Sequence, residues 1–70
     1  MSIKGELVRK EILVTINEYK NKHGFSPSIR EITDMVGLKS TGSVHRHLEV
    51  LKKRKDIEWD SSLSRTIRVL

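Results

Sequence analysis

Between Ser28 and Leu51 the chain spells out two helices with almost nothing between them. The stretch "SIRE" sets Ser28 three residues ahead of Glu31, the spacing at which each side chain caps the other's backbone N–H. A helix capped in this way is expected over Ile29 to Val36, with Ile29, Ile32, Met35 and Val36 on its inner face and Gly37 as its stop. About two turns of helix are marginal in water, so tertiary packing must hold it. A second start signal follows at once. Ser40 or Thr41 caps a helix that runs from near Thr41 to about Arg54, anchored by Val44, Leu48 and Leu51. Any fold for this chain must therefore contain a short helix, a tight turn with glycine and a longer helix, the helix-turn-helix pattern.

The front of the longer helix buries almost nothing. With Val44 at the centre of the buried face, Leu48 and Leu51 fall within about 40° of it. Gly42, Arg46, Glu49 and Lys53 take the opposite side, and Ser43 and His45 the flanks. Small residues let another surface come close, while hydroxyl, imidazole and guanidinium groups supply directional hydrogen bonds. In a helix-turn-helix the second helix lies in the DNA major groove and presents its N-terminal residues to base edges. Ser40, Thr41, Gly42, Ser43, His45 and Arg46 are the candidate base-side contacts. Ser28, Arg30 and Lys39 border the turn and join them. At the far end, at least two of Lys52, Lys53, Arg54 and Lys55 are expected on phosphates, with Lys53 on the reading side.

Upstream, Val8, Ile12, Ile16 and Tyr19 recur at the helical period, which predicts a first helix over Leu7 to Lys22 ended by Gly24. Downstream the period changes to two. Ile57 and Trp59 alternate with Glu58 and Asp60, and Ile67 and Val69 with Thr66 and Arg68, around the polar turn Ser61 to Arg65. The expected fold class is mainly α with a small β-hairpin: a three-helix winged helix-turn-helix, one domain over 1–70, with Ser64 and Arg65 on the wing.

Charge agrees with a polyanionic partner and is unevenly placed. The net charge is +5; residues 1–38 carry six basic and five acidic side chains, residues 39–70 eight and four. The excess thus sits on and after the turn, as a nucleic-acid face requires. With no cysteine, neither a disulfide framework nor a thiolate metal site is available. His45 and His47 lie about 200° apart on a helix and cannot share a metal ion, so no metal or cofactor is expected. His47 is expected to be part-buried packing, and Trp59 to be core. The serines assemble with no base and orienter, so no enzyme activity is expected. No apolar run reaches the ~20 residues of a membrane span, and no signal peptide is visible, so a cytoplasmic location is expected.

The stretches "FSPSIREITDMVGLKSTGSVHRHLEVL", "IEW" and "SRTIRVL" resemble the N-terminal DNA-binding domain of the LexA family of SOS-response repressors. The resemblance runs from about Leu7 to Leu70, and Ser43-Val44-His45 is nearer its Gram-positive branch. It implies a winged helix-turn-helix that binds operator DNA through the third helix. The leading expectation is that two copies occupy an inverted repeat of double-stranded DNA, on a bacterial or phage nucleoid. By position, it places base reading at Ser40, Gly42, Ser43, His45 and Arg46, and wing contacts around Ser64 and Arg65. Two residues depart from the family pattern: Lys55 stands where glycine usually follows the third helix, and Arg46 replaces a smaller or acidic residue. The family continues into a self-cleaving, dimerising Ser-Lys domain, and this chain stops where the linker to it would begin. An alternative reading is a protein-interaction module of the same shape, motivated by Val14 and Leu63, apolar residues expected to face outward.

Overall fold

The computed structural model describes residues 3–70. Three helices, α1 (Ile3–His23), α2 (Ile29–Val36) and α3 (Thr41–Lys53), precede two short strands, β1 (Ile57–Glu58) and β2 (Arg68–Val69). The strands pair antiparallel, with Ile57 opposite Val69 and Glu58 opposite Arg68. This is a mainly α, winged helix-turn-helix domain.

Each element contributes to one core. Ile12 and Ile16 enter from α1, Ile32 from α2, Val44, Leu48 and Leu51 from α3, and Ile57, Trp59 and Ile67 from the hairpin. Burying an apolar side chain of this size contributes roughly 1.5–3 kcal/mol, and Ile32, joined by the partly buried Ile29 and Val36, ties to the core a two-turn helix that would not persist alone. The hairpin's alternation is visible in burial: Ile57 and Trp59 are covered, Glu58 and Asp60 exposed. Ladder pairing is limited to two residues per strand, so packing on α1 and α3 holds the hairpin in place.

Helix α1 starts one turn earlier than its apolar periodicity predicts. Glu6, on that extra turn, pairs with Arg9 and reaches Arg54 at the end of α3, at 2.5 and 3.2 Å. These guanidinium groups hold the Glu6 carboxyl down to about 2, the Arg54 hydrogen bond contributing most and that of Arg9 next. The early turn is thus fixed by a tertiary contact rather than by hydrophobic pattern.

In α2 the expected inner face needs one correction. Met35 is 47% exposed, and Thr33 is buried instead. Ile29, Ile32, Thr33 and Val36 cluster on one side, and Met35 lies about 110° from their centre. Burial of Thr33 is tolerated because its hydroxyl donates to the Ile29 carbonyl at 2.8 Å.

Two helix ends use left-handed residues. Gly37 (φ 73°) closes α2, and the Leu38 N–H returns to the Thr33 carbonyl at 3.1 Å. After α3, Lys55 takes the same role at φ 66°, with its N–H on Lys52 O and the Asp56 N–H on Leu51 O. These two bonds make the glycine-type helix stop, built here with lysine. The conformation costs a residue with a β-carbon roughly 1 kcal/mol.

Candidate nucleic-acid interface

Ser40 is the cap of α3. Its extended backbone (φ −145°, ψ 149°) lets its Oγ accept the Ser43 N–H at 3.3 Å, and the two hydroxyls stand 3.2 Å apart. Thr41 and Gly42 are exposed and Ser43 half-buried. A β-carbon added at Gly42 would meet only the Ser40 Oγ, at 3.9 Å, and Gly42 is not among the positive-φ residues. Neither internal packing nor backbone geometry calls for glycine here. What its bare backbone offers is close approach from outside.

Arg30, Lys39, Ser40 and Thr41 border one shallow concavity between the start of α2 and the start of α3, along with Thr33 and Asp34. One helical turn further on, Arg46 and Ser43 line a second depression with Arg9, His47 and Val50. The predicted contacts on the turn border the first of these depressions and those on the front of α3 the second, one on the α2 flank of α3 and one on its α1 flank. Lys53 is exposed in the last turn of the same helix.

His45 and His47 have separate surroundings. The His45 ring sits edge-on to Trp59, with centroids 4.9 Å apart, and its Nδ1 lies 3.6 Å from Glu49. It is half-buried, with its side chain 43% exposed. His47 packs inward, and its Nδ1 accepts from Arg9 Nη1 at 3.2 Å. Burial, then the cations of Arg9 and Arg46, lower the His47 pKa, so the ring is a neutral acceptor. Trp59 is 6% exposed and belongs to the core.

The molecule's six arginines divide sharply. Arg9 and Arg54 pair with Glu6, Arg65 with Glu31 and Arg68 with Glu58. Among the described residues, Arg30 and Arg46 are the two without a carboxylate partner; Arg30 borders the first depression and Arg46 the second. Pairing also leaves Lys52, Lys53 and Lys55, rather than Arg54, as the uncommitted members of the terminal basic run.

On the wing, the loop from Asp60 to Thr66 is closed by side chains. The Asp60 N–H donates to Thr66 Oγ1 at 3.1 Å, and Asp60 Oδ1 accepts from both the N–H and the hydroxyl of Ser62. Ser64 is exposed. Arg65, in contrast, turns back toward α2: Nη1 reaches Glu31 Oε1 at 2.8 Å and the Ser26 carbonyl at 3.1 Å, and Nη2 reaches Glu31 Oε2 at 3.2 Å. Ser28 is committed as well, since its hydroxyl accepts the Glu31 N–H and its own N–H donates to Glu31. Sequence reasoning saw Glu31 as a cap and missed it as the wing's anchor. A pairing between residues 34 positions apart leaves no periodic trace.

The family model described as the LexA DNA binding domain matches residues 8–66. The LexA repressor of Clostridium novyi is 46% identical over 70 residues, covering 100% of this chain and 34% of that protein. Those of Acetivibrio thermocellus and Shouchella clausii are each 44% identical over 62 residues, 89% of this chain and 29% and 30% of theirs. The chain spans about a third of the length of the curated relatives it matches. The matched stretch runs from α1 through the turn and α3 into the wing, and the chain belongs to the LexA DNA-binding domain family.

Proposed function

We propose that this domain binds double-stranded DNA sequence-specifically, with the front of α3 in the major groove and the hairpin as wing, and that it serves transcriptional repression in the SOS response. Phosphate contacts from Arg30, Lys39 and Lys53 set the register. Ser40, Thr41, Gly42, Ser43, His45 and Arg46 face base edges, and the wing around Ser64 and Arg65 meets the flanking backbone. Two copies occupy an inverted repeat, one per half-site, in the cytoplasm on the nucleoid. The observation that carries this reading is that the uncommitted arginines, Arg30 and Arg46, stand beside the exposed N-terminus of α3 while their four counterparts are paired. Arginine is the side chain that reads guanine bidentately.

The test is selection from a random duplex pool, followed by titration at several salt concentrations. With about five phosphate contacts, the log-log salt slope should be near −4 to −5 per monomer. Arg46→Ala should relax the selected sequence preference at a cost of ~1–3 kcal/mol. Lys53→Ala should weaken all duplexes alike and flatten the slope by about 1. Unchanged binding of Arg46→Ala to the selected operator would remove α3's exposed face from the mechanism.

A further inference from the structure

The wing holds an arginine whose surroundings differ from those of a phosphate ligand. Arg65 adopts φ 59°, a left-handed conformation that a residue with a β-carbon keeps only where its surroundings over-determine it. Those surroundings are four groups from three parts of the chain: α1, the loop after it and α2. Tyr19 of α1 places its hydroxyl 3.4 Å from Nη1, the loop supplies the Ser26 carbonyl, α2 supplies the Glu31 carboxylate, and the Phe25 ring lies 4.9 Å from the guanidinium carbon. Glu31 is equally engaged. Its two oxygens take the Ser28 N–H at 2.8 Å, the Tyr19 hydroxyl at 3.1 Å and both Arg65 nitrogens. A carboxylate has about four lone-pair sites, and four donors occupy them here. One further bond ties the same loop to the hairpin, from the Ser26 hydroxyl to the Ile67 carbonyl.

We propose that Arg65 acts as a positioning residue: it straps the wing to the start of α2 through Glu31, so that Ser64 and the wing backbone, rather than the Arg65 guanidinium, meet the flanking phosphates. The inference rests on the DNA reading above and assigns Glu31, otherwise a helix cap, to the binding geometry. It separates from a phosphate-ligand role because the two assign opposite signs to one substitution. If Arg65 held a phosphate, Glu31→Gln would release the cation, remove an anion and tighten binding. If Arg65 is a strap, Glu31→Gln loosens the wing and weakens binding. Glutamine at this position still completes the capping box, so α2 remains capped.

The experiment uses an operator selected with the wild-type chain, hydroxyl-radical footprinting and salt titration for wild type, Arg65→Gln, Arg65→Lys and Glu31→Gln, with folding checked by circular dichroism. Arg65→Gln and Glu31→Gln should each keep the half-site footprint and lose the flanking one. Their affinity should fall roughly tenfold, the scale of one lost charge-assisted hydrogen bond, with the salt slope unchanged. Arg65→Lys should rescue only in part, because an ammonium group cannot fill a bidentate site. A slope shallower by about 0.9 in Arg65→Gln, with tighter binding by Glu31→Gln, would make Arg65 a phosphate ligand and overturn the proposal. So would a melting temperature that drops while the flanking footprint of the folded variants stays intact, since that is a purely structural role. Failure of the wild type to select any duplex would instead overturn the DNA reading, and the strap's role with it.

Discussion

The front of α3 and the junction of wing and α2 are built from similar materials, with serines and an arginine close to a helix start in both. They differ in what those groups touch. At the junction each named polar group has a partner within the fold: Ser28 with Glu31, Glu31 with Arg65, Ser26 with Ile67. On α3 the cap, His45 beside Glu49 and His47 on Arg9 are used internally, and Arg46, Thr41 and Gly42 are left facing out. Buried or half-buried polar groups must be satisfied, and a cluster that satisfies itself serves architecture. A cluster with spare donors on an exposed helix front has its hydrogen bonds still to make. The contrast suggests a rule for small binding domains: count the partners of each polar group before assigning it a ligand.

Gly42→Ala tests the contrast with the largest expected effect. Its added methyl meets only the Ser40 hydroxyl at 3.9 Å, so the fold has room for it. Alanine in a helix should then stabilise the domain by about 0.5–1 kcal/mol, measured by thermal or urea unfolding. If the α3 backbone approaches DNA here, the same variant should lose duplex affinity. A rise in stability with unchanged affinity would mean that the exposed cluster is not an interface. Next in size is Lys55→Gly, at the left-handed residue between α3 and the hairpin. It should raise stability by up to about 0.5 kcal/mol, the strain of roughly 1 kcal/mol less the entropy glycine restores to the unfolded chain. A destabilised variant would mean that Lys55 makes a compensating contact.

The smallest effects lie in pH dependence. Glu31 is held to about 2, chiefly by Arg65 and then by the Ser28 N–H, against an ordinary 4.5. A depressed carboxylate stabilises the fold above its unfolded value, so this contribution is complete above pH 4.5 and is lost as pH falls toward 2. Glu31→Gln should flatten that part of an acid unfolding curve. His47 is lowered from 6.5, so the unfolded chain takes up its proton first. Stability is then full above pH 6.5 and declines below it, a slope that His47→Gln should reduce. Both substitutions test the junction and the interior, and neither slope should respond to Arg46→Ala as strongly as to its own substitution.

Much of the fold was legible because its signals are local. The capping box and Gly37 bracket α2 at Ile29–Val36 as the sequence predicts, and of the two caps it offers for α3 the structure uses Ser40. Alternation located the hairpin and the burial of Trp59. What escaped is non-local. The first turn of α1 depends on Arg54, 48 residues away from Glu6, and Arg65 turns inward because Glu31 and Phe25 wait there. Met35 faces out against the sequence pattern because a short helix offers too few apolar residues to define its face, and Thr33 hides its polarity in a backbone hydrogen bond. For the site, helical geometry correctly separated Arg46 from Val44 and Leu48, whereas the difference between Arg46 and Arg65 lies only in tertiary pairing.

Glu31 secures two elements at once, the first turn of the short helix and the hairpin's loop. Fraying at one is therefore felt at the other, although the hairpin itself contributes only two paired residues per strand. On the proposed DNA reading, the domain gains from this a fixed span between groove and flank, like a calliper whose jaws share a single screw. Any change at position 31 would alter the jaw setting before it altered the grip.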